Sequence, residues 1–323
     1  MPSKQLDIVN FLRGFSITTI VIMHLLQGFE LSDFMMKATS FSGAGVHVFI
    51  LCSGFGLYLS YLHKPSGYKE FLKRRFGRIY WPMAIICILT AFWMTFQGKD
   101  VMMPLLGNLL LFKMFVPELE NSMGCQMWFV STIIQFYMAW PLIIRLVRIR
   151  GGYYKALVIS LLWSSLVGVM GYVDERVWNS FFLQYLWEFC LGMKLAEVYV
   201  NRGADLSIPK YKYLLLACIV GMAVTGVMGW MGFPWKLYND IPSLFGYCSF
   251  ALIIYKIGIN WLNSFLCYTN RLSYEWYLVH ILVFQIVMFL LKSMIPTIIL
   301  IIICLTMSYF VAMGYARLWN KKK

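Results

Sequence analysis

Ten long apolar segments follow one another along this chain, and they restrict the folds that it can adopt. A helix needs about 20 predominantly apolar residues to cross the hydrocarbon core of a bilayer. In that core every backbone N–H and C=O must be paired within the chain, so spanning segments are helical. The sequence therefore predicts an all-α fold, a polytopic transmembrane helix bundle of about ten spans. The approximate limits of the segments are 8–29, 43–62, 79–97, 127–147, 153–172, 181–200, 212–231, 241–259, 271–291 and 295–318.

The positions of the basic residues indicate how the bundle is oriented. If the amino terminus is cytoplasmic, all but six of the 28 lysines and arginines fall in cytoplasmic segments. An excess of Lys and Arg in short cytoplasmic loops is the usual signature of orientation. We therefore expect both termini in the cytoplasm, membrane lipid as the surroundings, and no nucleic-acid partner for the net charge of +14. The six outer residues are Lys37, Lys99, Lys113, Arg176, Lys236 and Lys292.

The connections between the segments leave no room for a second domain. The longest, residues 98–126, contains the apolar stretch 103–115, which is too short to span and is expected to be interfacial or re-entrant. We expect one transmembrane domain over residues 1–323, no appended soluble domain, and a first span that is retained rather than cleaved as a signal peptide. Pro82 is expected in the first turn of the third spanning helix. The eight cysteines show no metal-ligand spacing, so neither a disulfide framework nor a metal site is expected.

The first segment carries two ionisable residues, Arg13 and His24, eleven positions apart. On a helix this separation is roughly 16 Å along the axis and about 20° around it, so both side chains lie on one face. Ionisable residues inside a membrane are costly and usually functional. The alternatives are an arginine that reaches lipid phosphate and a histidine paired in the core. Because neutral imidazole accepts a proton near neutral pH, His24 is a candidate general base.

His47 lies near the outer end of the second segment, at a depth similar to that of His24. Two histidines at one depth could form an acid/base or orienting pair, which makes His47 a second candidate catalytic residue. Two unrelated histidines at the interface are the alternative.

The connection before the third segment contains a dense group of arginines: Arg74, Arg75 and Arg78. Spacings of three and four residues place these side chains together on a helix. A guanidinium group binds phosphate through a planar fork of N–H donors, so this cluster is a candidate anion site, with Arg13 at its entrance. Ordinary positive-inside topology and attraction to anionic lipid are the alternative.

Two other segments bring polar and aromatic residues into the bundle. Trp128 opens the fourth segment, and Tyr277 and His280 lie in the ninth beside other polar residues. Polar groups at membrane depth require a cavity or the bundle interior, so these three residues are expected to line a substrate pocket. An aromatic belt at the interface is the alternative for Trp128.

These motifs together resemble the acyltransferase-3 family of membrane-bound acyltransferases. Arg13, ten residues and then His24 is similar to the family's R-x10-H signature. The resemblance continues in order along nearly the whole chain, with Asn10 standing where the family often has aspartate and His47 where relatives often have a carboxylate. The matching stretches are GVHVFILCSGF (45–55), RRFGRIYWP (74–82), MWFVSTIIQFY (127–137), EFCLGMKLA (188–196) and LSYEWYLVH (272–280).

The resemblance implies an acyltransferase in the inner, cytoplasmic membrane of a bacterium. Its donor would be acetyl-coenzyme A or another acyl-coenzyme A, and its acceptor a hydroxyl of a glycan or glycolipid at the cell surface. His24 would act as the base, and Arg13 with the arginine cluster would bind the donor; no metal is implied. A transporter or flippase of a glycolipid or small anion is the alternative, because it could use the same intramembrane charges. A receptor-like structural protein would leave the shared face of Arg13 and His24 unexplained.

Overall fold

The computed structural model describes residues 4–173, 175–202 and 208–320, and within them the chain is helical and contains no strand. The prediction of an all-α, polytopic bundle is therefore confirmed. Lys321 to Lys323 lie outside these residues, as does the side chain of Arg176, which the orientation argument counted as an outer charge. The helices are α1 (Lys4–Leu26), α2 (Asp33–Ser40), α3 (Gly45–His63), α4 (Tyr68–Phe96), α5 (Met102–Leu109), α6 (Trp128–Met138), α7 (Trp140–Arg148), α8 (Gly152–Met170), α9 (Arg176–Asn179), α10 (Leu186–Asn201), α11 (Tyr211–Met231), α12 (Asp240–Ile257), α13 (Asn260–Thr269), α14 (Ser273–Leu291) and α15 (Thr297–Asn320).

Eight stretches of the described chain are long and apolar enough to cross a membrane, and the count is nine if α6 and α7 together form one bent span. These two helices bend by 60° at their junction, where Pro141 follows the first residue of α7. The predicted segment 181–200 contains the helix α10, which has only 16 residues and is not among these candidate spans. The apolar stretch 103–115 forms only the eight-residue helix α5 and a single 3-10 turn, as its length predicted.

Helix α4 differs from the prediction, because it begins at Tyr68 and holds Pro82 in its interior. The prediction that Pro82 opens this helix is wrong. The residues before it, including the arginine cluster, are mostly good helix formers, so they add about four turns ahead of the proline. Pro82 itself is buried, and its carbonyl accepts a hydrogen bond of 2.7 Å from Tyr315 Oη on α15.

Glycines bring the helices that surround the site into backbone contact. A Cβ atom at Gly54 of α3 would lie 2.0 Å from the carbonyl oxygen of Phe189 on α10. A Cβ atom at Gly192 of α10 would lie 1.9 Å from the carbonyl oxygen of Leu51 on α3. Because no side chain fits at either position, these glycines set the distance between α3 and α10.

Candidate active site

A cavity of about 970 Å³ opens inside the bundle and is bordered by α1, α3, α4, α6 and α14. It contacts both Arg13 and His24 of α1, which the helical spacing placed on one face. The same cavity reaches Arg75 and Arg78 of α4. A continuous space therefore joins these arginines to the imidazole of His24, which lies about 16 Å from Arg13 along the axis of α1.

None of the arginines at this cavity forms an ion pair with a carboxylate within 4 Å among the described residues, although Glu275 also lines the cavity. The ion pairs of the described residues lie elsewhere: they join His47 to Glu188 and Asp240, and Lys194 to Glu197. Arg13 Nε and Arg75 Nε are buried without a hydrogen-bond acceptor, and the Arg13 guanidinium lies 5.9 Å from the centre of the Phe49 ring. Arg13 and Arg75 are half-buried and Arg78 is exposed, so their charges meet in the cavity without an ion-pair partner, which suits an anionic ligand.

Arg74 stands apart from the other arginines that the sequence grouped with it. Like Arg78 it is exposed, but it does not line the cavity, and its Nη2 lies 3.4 Å from the Ser66 hydroxyl. Arg271, just before α14, does line the cavity. Arg74 and Arg78 were predicted to act together because they are one helical turn apart, but only Arg78 faces the cavity.

His24 is paired with His280 of α14. His24 Nδ1 lies 2.9 Å from His280 Nε2, and the two rings are nearly parallel, with an interplanar angle of 11°. His280 is fully buried, and its Nδ1 lies 2.9 Å from the carbonyl oxygen of Trp276. Only His24 of the two lines the cavity, so His280 lies behind the candidate base instead of on the pocket wall where the sequence placed it.

His47 does not pair with His24. Its Nδ1 lies 2.7 Å from Glu188 Oε1 and its Nε2 lies 3.8 Å from Asp240 Oδ1. It is absent from the cavity wall, and its ring contacts Tyr185, which in turn stacks on Trp128. Of the two alternatives that the sequence left open, the structure shows unrelated histidines, because the partners of His47 come from α10 and α12, and no local pattern in the sequence indicates that these helices meet α3.

Trp128 and Tyr277 line the cavity where a substrate pocket was expected, and they adjoin a residue that the sequence argument missed. Gln126 lies in the turn before α6, also lines the cavity, and has a buried Oε1 without a partner. Its backbone carbonyl accepts a hydrogen bond from the Tyr277 hydroxyl. A glutamine two residues before a tryptophan does not by itself indicate a residue that lines a cavity, so the sequence could not identify Gln126. Among the described residues no group of three or more His, Cys, Asp or Glu side chains could hold a metal ion.

Comparison with known proteins gives two matches. A family model described as an acyltransferase domain matches residues 6–317. The acyltransferase MdmB of Streptomyces mycarofaciens is 29% identical over 164 residues, which cover 46% of this chain. The chain spans 42% of the length of that relative. No solved structure matches significantly.

Proposed function

Because this chain belongs to the acyltransferase-3 family, it is a membrane acyltransferase, and we propose that coenzyme A thioesters are its donors. It takes the acyl group, acetyl in the simplest case, from the cytoplasm and passes it to a hydroxyl of a cell-surface or lipid-linked glycan. The protein resides in the cytoplasmic membrane of a bacterium. The observation that carries this proposal is the cavity that contacts the unpaired arginines at one level of α1 and His24 at another.

The arginines suit the phosphate groups of coenzyme A. Arg13, Arg75 and Arg78 present guanidinium groups to the cavity, and none of them is in an ion pair among the described residues. Phosphate oxygens bind such groups through short, charge-assisted hydrogen bonds. The narrow pantetheine arm then extends along α1, so that the thioester reaches the level of His24.

His24 supplies the base for the transfer. Its imidazole removes the proton of the acceptor hydroxyl while the oxygen attacks the thioester carbonyl carbon. When the tetrahedral intermediate collapses, the new C–O bond remains, the C–S bond breaks, and the thiolate of coenzyme A takes the proton from His24. Positioned base catalysis of this kind is typically worth about 10²–10⁴-fold in rate.

Gln126 is suited to stabilise the oxygen of that intermediate. Its buried amide lines the cavity, and a half-turn of its last torsion exchanges the unpaired oxygen for an N–H donor. The hydrogen bond from Tyr277 to its backbone holds the turn against α14, which also carries His280. A donor preorganised for a developing oxyanion is worth about 10²–10³-fold in similar reactions.

The test uses the full chain, purified in lipid nanodiscs and supplied with radiolabelled acetyl-coenzyme A. We expect release of coenzyme A thiol, and a loss of at least about 100-fold in rate with His24→Ala. His63→Ala is the matched control, because His63 is exposed at the end of α3 and does not line the cavity. Unchanged thioester turnover in His24→Ala would remove His24 from the mechanism, and movement of a glycolipid or anion without any thioester turnover would favour a transporter.

A further inference from the structure

We propose that His280 is a positioning residue that selects the tautomer of His24, so that Nε2 of His24 is the basic atom facing the cavity. This inference rests on the proposed function, because it assumes that His24 is the base. It goes further by naming the atom that removes the proton and the residue that keeps this atom unprotonated.

The first step is the contact between His280 and the backbone of its own helix. His280 Nδ1 lies 2.9 Å from the carbonyl oxygen of Trp276. A carbonyl oxygen only accepts hydrogen bonds, so the nitrogen must donate, and His280 carries its proton on Nδ1. In a neutral imidazole the other nitrogen, Nε2, is then an acceptor.

The second step passes this assignment to His24. His280 Nε2 lies 2.9 Å from His24 Nδ1, and since the former accepts, the latter must donate. His24 therefore carries its proton on Nδ1 and keeps the lone pair of Nε2. The opposite assignment would set two lone pairs against each other at that distance.

The surroundings of His280 keep this arrangement unique. His280 is fully buried, and the rings of Phe284 and Tyr277 have their centres 5.7 and 6.4 Å from its own. Water therefore cannot replace the bond from His24. Because the His24 and His280 rings are nearly parallel, at 11°, the N–H of His24 can lie close to the plane of its acceptor ring.

When His24 takes the substrate proton on Nε2, its ring becomes an imidazolium. The bond from Nδ1 to His280 then becomes charge-assisted and strengthens, while its partner atoms stay in place. His280 thus orients the base as a buried, uncharged group. The hydrogen bonds run from His24 to His280 and from His280 to the backbone carbonyl of Trp276, which is fixed in α14.

The experiment measures the tautomer and the kinetics separately. The chain has four histidines, so a sample labelled with nitrogen-15 in its imidazole rings gives few signals, and single substitutions assign them. We expect the Nδ1–H form for His24 in the unmodified protein, and a mixture with the Nε2–H form in His280→Leu. Finding the Nε2–H form in the unmodified protein would overturn the inference.

Two variants of His280 separate positioning from folding. His280→Leu removes the acceptor, and we expect kcat to fall about 10–100-fold while KM for acetyl-coenzyme A changes less than threefold. His280→Gln places an amide oxygen near the position of Nε2 and is expected to recover at least a third of the lost activity on a logarithmic scale. Equal activity in the two variants at equal thermal stability would contradict the positioning role.

The outcomes also distinguish this inference from the proposed function. If His24 shows the expected tautomer but His24→Ala keeps full turnover, the proposed function fails although the hydrogen-bonded series is real. If His24→Ala is inactive and the tautomer is unaffected by His280→Leu, the base is correct and the positioning role is wrong.

Discussion

His47 Nδ1 lies 2.7 Å from Glu188 Oε1, and this contact joins the first turn of α3 to the first turn of α10. Asp240, the first residue of α12, lies 3.8 Å from the other ring nitrogen. Glu188 is fully buried, and its second oxygen has no partner. A single imidazole thus faces two carboxylates where three helices begin, which suits a clamp between the helices better than a place in the chemistry.

His47→Ala should therefore destabilise the bundle. Removing one member of a buried charged cluster leaves the other charges without compensation and costs about 3–5 kcal/mol. We expect a lower midpoint of thermal unfolding in detergent, with partial recovery when Glu188→Gln is added, since the second change removes one of the uncompensated charges. A His47→Ala protein of unchanged stability that is inactive would return His47 to the catalytic machinery.

The contacts of His47 come from helices that are distant in the sequence, and such contacts cannot be predicted from helical periodicity. Helical periodicity relates residues on one helix, so it correctly placed Arg13 and His24 along one face, and both line the cavity. Periodicity does not show which helices are neighbours. The partners of His24 on α14 and of His47 on α10 and α12 therefore could not be predicted from the sequence. The prediction for Pro82 was wrong for a related reason: the preference of proline for the first turn of a helix is a local rule, and it took no account of the helix-forming residues before Pro82.

The arginines of α4 are predicted to contribute unequally to binding of the donor. Arg75→Ala and Arg78→Ala should each raise KM for acetyl-coenzyme A about 10–100-fold, because a charged hydrogen bond to phosphate is worth about 1.5–3 kcal/mol. The change in kcat should be small, since the phosphates bind equally in the ground and transition states.

Arg74→Ala is the matched control for these variants. Arg74 neighbours Arg75 on the same helix and carries the same charge, but it lies outside the cavity. Its KM should remain within about twofold of the unmodified protein, as for a screened surface charge. Equal effects of Arg74→Ala and Arg75→Ala would indicate general attraction to a basic surface instead of a phosphate site.

Lys113 is predicted to hold the connection between α5 and α6 in place. Its ammonium group is buried and donates to the carbonyl oxygens of Ser122, at 2.6 Å, and Gly124, at 2.8 Å. Lys113→Met removes both bonds and leaves the Gly124 carbonyl with only the 3.4 Å bond from Met127 N; a buried carbonyl that loses its partner costs about 1–3 kcal/mol. We expect the turn that carries Gln126 to loosen, so that limited proteolysis cleaves this connection faster than in the unmodified protein. Lys99→Met, at an exposed site between α4 and α5, should leave the cleavage rate unchanged.

The contact between α3 and α10 gives the last prediction. Gly54→Ala would place a Cβ atom 2.0 Å from the carbonyl oxygen of Phe189, and that oxygen is backbone in a buried helix, so it cannot simply turn aside. The helices must separate, which typically costs about 1–3 kcal/mol and moves the walls of the cavity on α3.

Gly226→Ala on α11 is the control, because nothing lies within 4 Å of a Cβ atom there. We expect a lower midpoint of thermal unfolding for Gly54→Ala only, and a slightly higher one for Gly226→Ala, since alanine favours the helix by about 1 kcal/mol over glycine. Equal stability of the two variants would show that α3 and α10 do not pack this closely.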